Sequence, residues 1–164
     1  MKKLLVIYTA LLALTMVSCS DSSPQHAGHE NRGHDAAGGE NGAVPGTPAS
    51  PSAATREVKI TTHDQLRFEP DRIEVRAGEV VMFTVQNIGK TRHEFVLGDA
   101  KYQEMHGKDM QSGHMADGAN AVSLEPGETK RLTWEFGEAG TLQFGCHEPG
   151  HFEGGMVGEI TIQA

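Results

Sequence analysis

Cys146, His151 and Met156 stand five residues apart from one another near the C-terminus, in the stretch Gly145-Cys146-His147-Glu148-Pro149-Gly150-His151-Phe152-Glu153-Gly154-Gly155-Met156. A thiolate, an imidazole and a thioether are the donors that a mononuclear blue-copper site takes from one loop, with a second histidine coming from elsewhere in the chain. His93, in Asn87-Ile88-Gly89-Lys90-Thr91-Arg92-His93-Glu94-Phe95, is the candidate for that fourth ligand. Cu(I) favours soft sulfur and Cu(II) favours imidazole, so two histidines, a thiolate and a weak methionine serve both states in one geometry. His147 is the nearest competitor. As the neighbour of Cys146 along a strand it should point to the opposite face, outside the ligand set. Zinc suits two histidines and a cysteine, but an added methionine suits copper better.

Such a set must be held by elements that change little with redox state, and the sequence predicts strands for this. Apolar residues alternate at Val58 and Ile60, Ile73 and Val75, and Val81, Phe83 and Val85. The pattern repeats at Leu132, Trp134 and Phe136, at Leu142, Phe144 and Cys146, and at Ile160 and Ile162. Turn residues separate these runs: Ala77-Gly78-Glu79, Asn87-Ile88-Gly89, Glu125-Pro126-Gly127-Glu128 and Glu138-Ala139-Gly140. Roughly seven to eight short strands over residues 56–164 predict an all-β, antiparallel Greek-key sandwich, with no amphipathic helix of convincing length. Cys146 would end a strand, and Gly150, Gly154 and Gly155 would let the following loop turn His151 and Met156 back to the same metal.

Residues 98–120 interrupt the strand rhythm and read as a long inserted loop. The insertion carries Met105, His106, Met110, His114 and Met115, donors for a secondary, weakly bound copper. His106, Met110 and His114 have the spacing of one helical face, although Gly107 and Gly113 argue against a stable helix before metal binds. The alternative is a solvated loop whose methionines pack on the sandwich or on a partner.

Upstream, Lys2-Lys3 and the apolar run from Leu4 to Val17 form a secretory signal too short to span a bilayer. Small residues before Cys19 match a lipoprotein processing site, with Met16 in place of the usual leucine. Ordinary cleavage beside Cys19, or an uncleaved anchor, are the alternatives. The predicted organisation is a signal over 1–18, a flexible tether over 19–55 and a folded domain over 56–164. Val44 is the one large apolar residue of the tether, and His26, His29 and His34 there are either weak metal donors or solubilising. Removing residues 1–18 takes away two lysines and no carboxylate, which moves the net charge from −8 to −10. That charge argues against nucleic acid and leaves a lipid on Cys19 as the contact with a membrane. With Cys19 lipidated, Cys146 is a lone thiol in an exported protein, a liability unless it is metal-bound or buried.

Taken together, these motifs resemble the cupredoxins, the family of plastocyanin, azurin, pseudoazurin and rusticyanin. The resemblance spans roughly residues 56–164. Its motifs are Phe68-Glu69-Pro70, Ala77-Gly78-Glu79, Asn87-x-Gly89-x3-His93-x-Phe95, Glu125-Pro126-Gly127 and Cys146-x4-His151-x4-Met156-Val157-Gly158. It is closest to the periplasmic copper-tolerance cupredoxins of Gram-negative bacteria. It implies one type 1 copper per chain on His93, Cys146, His151 and Met156, with Glu94 where many members have asparagine. It further implies a monomeric, periplasmic, lipid-anchored copper binder rather than an enzyme. Electron transfer between respiratory redox partners is the alternative function. A multicopper oxidase would need histidines on both sides of the cysteine and His-x-His pairs, but Gly145 stands at one flank and no such pair occurs. A dinuclear electron-entry site would need a second cysteine in the loop.

Overall fold

A computed structural model describes residues 42–113 and 118–164. The signal, Cys19, the three tether histidines, His114 and Met115 lie outside the described residues. Ten strands are present: β1 Thr47–Pro48, β2 Arg56–His63, β3 Arg67–Glu69, β4 Arg72–Arg76, β5 Val80–Asn87, β6 His93–Gly98, β7 Ala121–Leu124, β8 Thr129–Glu135, β9 Gly140–Gly145 and β10 Val157–Gln163. They form two five-stranded sheets, in the orders β1-β8-β5-β2-β3 and β4-β10-β9-β6-β7. The expected β-sandwich is present, with more strands than the seven to eight predicted. The surplus is explained by β1 and β3, of two and three residues, which are too short to show alternation. Most pairings are antiparallel; β2 with β5 and β4 with β10 are parallel.

Alternating side chains from both sheets meet in one core. Phe68, Phe83, Phe95, Phe136 and Phe144 are all nearly or fully buried. Their rings pack at centroid distances of 5.1–6.1 Å, several edge to face. Chain upstream of Arg56 also joins the sandwich. Val44 packs on the core, Trp134 Nε1 donates to the Pro45 carbonyl at 3.0 Å, and β1 pairs with β8.

The segment read as a loop contains a helix, α1, Ala100–Gln111, which corrects the sequence expectation. Asp99 caps it, accepting from the Tyr102 N–H at 2.7 Å and, with its other oxygen, from the Ala43 N–H at 2.8 Å. Glu104 and Lys108 form an i,i+4 pair on its outer side. The residues it buries are Gln103 and His106, so there is no apolar stripe to betray it. Gly107 is there for packing: a Cβ at that position would lie 3.0 Å from His147 Nδ1.

Candidate metal centre

β6 and β9 are antiparallel neighbours in one sheet, and they bring the distant donors together. Side chains two apart on a strand share a face. His93 therefore follows Phe95, and Cys146 follows Phe144, toward the sandwich interior. Glu94 and His147 take the opposite face, under α1.

The loop after Cys146 is closed by its own backbone. Cys146 N–H donates to the Met156 carbonyl at 3.1 Å, and Met156 N–H donates to the His151 carbonyl at 2.9 Å. Gly150 and Gly155 adopt positive φ values of 81° and 93°, which the two turns of this loop require. On the other side, the chain entering His93 is pinned twice. Buried Asn87 donates to the carbonyls of Thr91 and Leu124 and accepts from the Gly89 N–H. Asp64 accepts from the N–H groups of Lys90 and Thr91 and from the Thr91 hydroxyl.

The donor atoms of His93, Cys146 and His151 all lie within 4.8 Å of one another. Cys146 Sγ is 3.3 Å from His151 Nδ1 and 3.9 Å from His93 Nδ1. His93, Cys146 and Met156 are fully buried, whereas His151 is partly exposed and forms the edge of the site. The other nitrogen of His93 faces the Thr91 hydroxyl at 3.4 Å and Asp64 at 4.0 Å, the partners that orient a ligating imidazole. Arg92 ties the two loops together through Glu148 at 3.2 Å.

The electrostatics fit a cation. Burial pushes the Cys146 thiol up to about 12, although the Glu94 N–H donates to its sulfur at 3.2 Å. A thiol so reluctant to ionise needs a metal at the sulfur to become a thiolate. Burial, then the neighbouring His151, lowers the pKa of His93, while Asp64 works the other way; the imidazole is held neutral, as a ligand must be. Two imidazoles, one thiol and a buried thioether nearby suit copper in both oxidation states.

Of the proposed secondary donors, His106, Met105 and Met110 are among the described residues. His106 turns inward, its Nε2 3.5 Å from Glu94 Oε2 and its ring stacked with Tyr102, while Met105 and Met110 remain partly exposed. His147 Nε2 lies 2.7 Å from Gln103 Oε1, and its ring stacks on Phe152. Burial drives the pKa of His147 down to about 4, with His106 adding to the effect. Burial also opposes ionisation of Glu94, but His106 and the N–H of His147 more than offset it and leave that carboxyl below its ordinary value. Sequence reasoning missed Asp64, which has no motif around it. It also missed the fact that Glu94, His106 and His147 converge.

Comparison with known proteins agrees with this geometry. The chain is 37% identical over 149 residues to the copper-resistant cuproprotein CopI of Pseudomonas aeruginosa, covering 72% of this chain and 82% of that one. It is 33% identical to CopI of Rubrivivax gelatinosus over 96% of this chain and 98% of that one. Auracyanin from Roseiflexus castenholzii shares the fold, with a TM-score of 0.61 at 22% identity over 68% of this chain and 99% of that one. Residues 54–163 match the model for copper binding proteins of the plastocyanin/azurin type, and the chain belongs to that family.

Proposed function

We propose that this protein serves copper tolerance outside the cytoplasm, with His93, Cys146 and His151 as the residues that would hold one type 1 copper and Met156 as a further, weaker thioether donor. The observation that carries the reading is the buried thiol of Cys146, set 3.3 Å and 3.9 Å from two imidazole nitrogens in a cluster whose donor atoms all lie within 4.8 Å of one another. A relative matched over nearly its whole length bears the name copper-resistant cuproprotein, which supports tolerance as the role.

When bound, copper supplies a one-electron change between Cu(I) and Cu(II). The protein's part is to bind and to orient. The Asn87 and Asp64 contacts fix His93, the closed loop fixes His151 and Met156, and burial keeps water from the sulfur. We read the site as a binder rather than an enzyme, in keeping with relatives named as cuproproteins. The chain acts as a monomer, tethered to a lipid on Cys19, after removal of residues 1–18, through the segment that precedes Val44, where the chain joins the sandwich. A redox partner would dock where His151 reaches the surface. That exposure favours the second reading, an electron carrier between respiratory partners.

Growth of a strain lacking the gene, complemented with wild type or with Cys146→Ser, tests the role. Tolerance predicts copper sensitivity that wild type rescues and Cys146→Ser does not. Normal copper tolerance with slowed respiration would replace it with the carrier reading.

A further inference from the structure

The sheet that carries the copper ligands on one face carries a second set of donors on the other. Glu94 follows His93, His147 follows Cys146, and α1 lays His106 over both. We propose that Glu94, His106 and His147 form a second metal site, taking a divalent cation on one carboxylate oxygen and two imidazole nitrogens, with Cu(II) its tightest occupant.

All three residues are more than nine-tenths buried, at 4%, 8% and 8% exposure. Glu94 Oε2 and His106 Nε2 have no hydrogen-bond partner, a state that buried polar atoms rarely keep. Their 3.5 Å separation is too long for a strong charge-assisted hydrogen bond, which runs at about 2.7–2.9 Å. It is close to the roughly 3.4 Å between two donors on a tetrahedral metal with bonds of about 2.0–2.1 Å, and the pair need close by only about 0.6 Å for adjacent donors on a tetragonal Cu(II). The copper ligands on the opposite face show the same kind of spacing, 3.3 Å and 3.9 Å.

The third donor follows from an amide. Gln103 Nε2 donates to the Val96 carbonyl at 2.8 Å, so its Oε1 is the atom presented to His147 Nε2. His147 then carries its proton on Nε2 and keeps the Nδ1 lone pair free for a metal. That nitrogen faces Gly107, where no side chain stands in the way. The His147 and His106 ring centroids are 5.1 Å apart. Among the described residues only His93, Cys146 and His151 have three donor atoms within 4.8 Å, so His106 and Glu94 must shift toward His147 Nδ1, with His147 keeping its Gln103 bond, to complete the second site. Imidazole is a borderline donor and carboxylate a hard one, and at such mixed nitrogen and oxygen sites Cu(II) binds more tightly than other first-row divalent ions.

The test is titration of the full chain, already loaded with one blue copper, with further Cu(II), followed by electron paramagnetic resonance. A second equivalent should appear with nitrogen hyperfine structure and should broaden the signal of the first copper through dipolar coupling. His106→Leu should remove one bound equivalent and that broadening while the blue band, which also reports folding, stays. If His106→Leu disturbs the blue band, His106→Gln replaces it, and the native broadening stands as an independent measurement. Absence of broadening in the native protein, or an undiminished second equivalent in a folded His106 variant, would overturn the site and leave the blue-copper reading intact.

Discussion

The backbone N–H of Glu94 donates to Cys146 Sγ at 3.2 Å, joining two residues 52 positions apart, and the Glu94 side chain is only 4% exposed. One residue therefore touches the sulfur through its backbone and places a carboxylate behind the sheet. A buried negative charge near the metal favours Cu(II) over Cu(I). In chain loaded only at the first site, Glu94→Gln should keep the blue band, since the N–H is unchanged. It should raise the reduction potential by on the order of 50–100 mV, the size of a unit charge on the order of 10 Å away, across the sheet, at an effective dielectric near 20. An unchanged potential in voltammetry would mean that Glu94 is neutral where it sits.

The Cys146 thiol makes the apo-protein sensitive to alkali. Its pKa is raised from 9.0 to about 12 by burial, so between those values the unfolded chain ionises and the folded one does not. A raised folded pKa means that stability is full below pH 9 and falls as pH climbs toward 12, by up to roughly 1.4 kcal/mol per pH unit. Denaturant titrations of apo-protein should show this fall, and apo Cys146→Ser should lack it. At pH 7 copper uptake by wild type should release about one proton, because the thiol enters the site protonated.

Asp64 acts at a distance from the sulfur. It holds the Lys90 and Thr91 amides and the Thr91 hydroxyl, and that hydroxyl faces His93 Nε2. Asp64→Ala should free the approach to His93 and loosen the orientation of its ring. Copper affinity measured against a competing chelator should fall about 10- to 100-fold, the usual effect of removing an outer partner of a ligating histidine. Asp64→Asn should recover part of the loss, since an amide oxygen can still accept from the loop.

What was legible in the sequence was what has a period or a fixed spacing. Val81, Phe83 and Val85 alternate because β5 has one face in the core, and Cys146, His151 and Met156 share one short loop. α1 was illegible because it buries Gln103 and His106, polar residues bonded or opposed to the sheet rather than packed as an apolar stripe. Gly107 looked like a helix breaker and is instead the gap into which His147 fits. The Glu94, His106 and His147 cluster depends on that helix crossing β6 and β9, so no local pattern could announce it. Asp64 sits in the turn between β2 and β3, and only the sheet order brings it to the His93 loop.

Met156 offers the sharpest test of the copper ligand set. It is fully buried in the core, its carbonyl receives the Cys146 N–H and its own N–H holds the His151 carbonyl. Those bonds belong to the backbone, so Met156→Leu should leave the loop closed and the two histidines and the thiolate in place. Leucine fills nearly the same volume without a thioether, a swap that cores usually accept for less than about 1.5 kcal/mol. The intense thiolate-to-copper band should persist, and the potential should rise as a weak thioether donor is lost. Cys146→Ser should instead abolish the band, because a hydroxyl does not supply the thiolate. If Met156→Leu left both the band and the potential unchanged, Met156 would be a core residue and the copper would be held by His93, Cys146 and His151 without it.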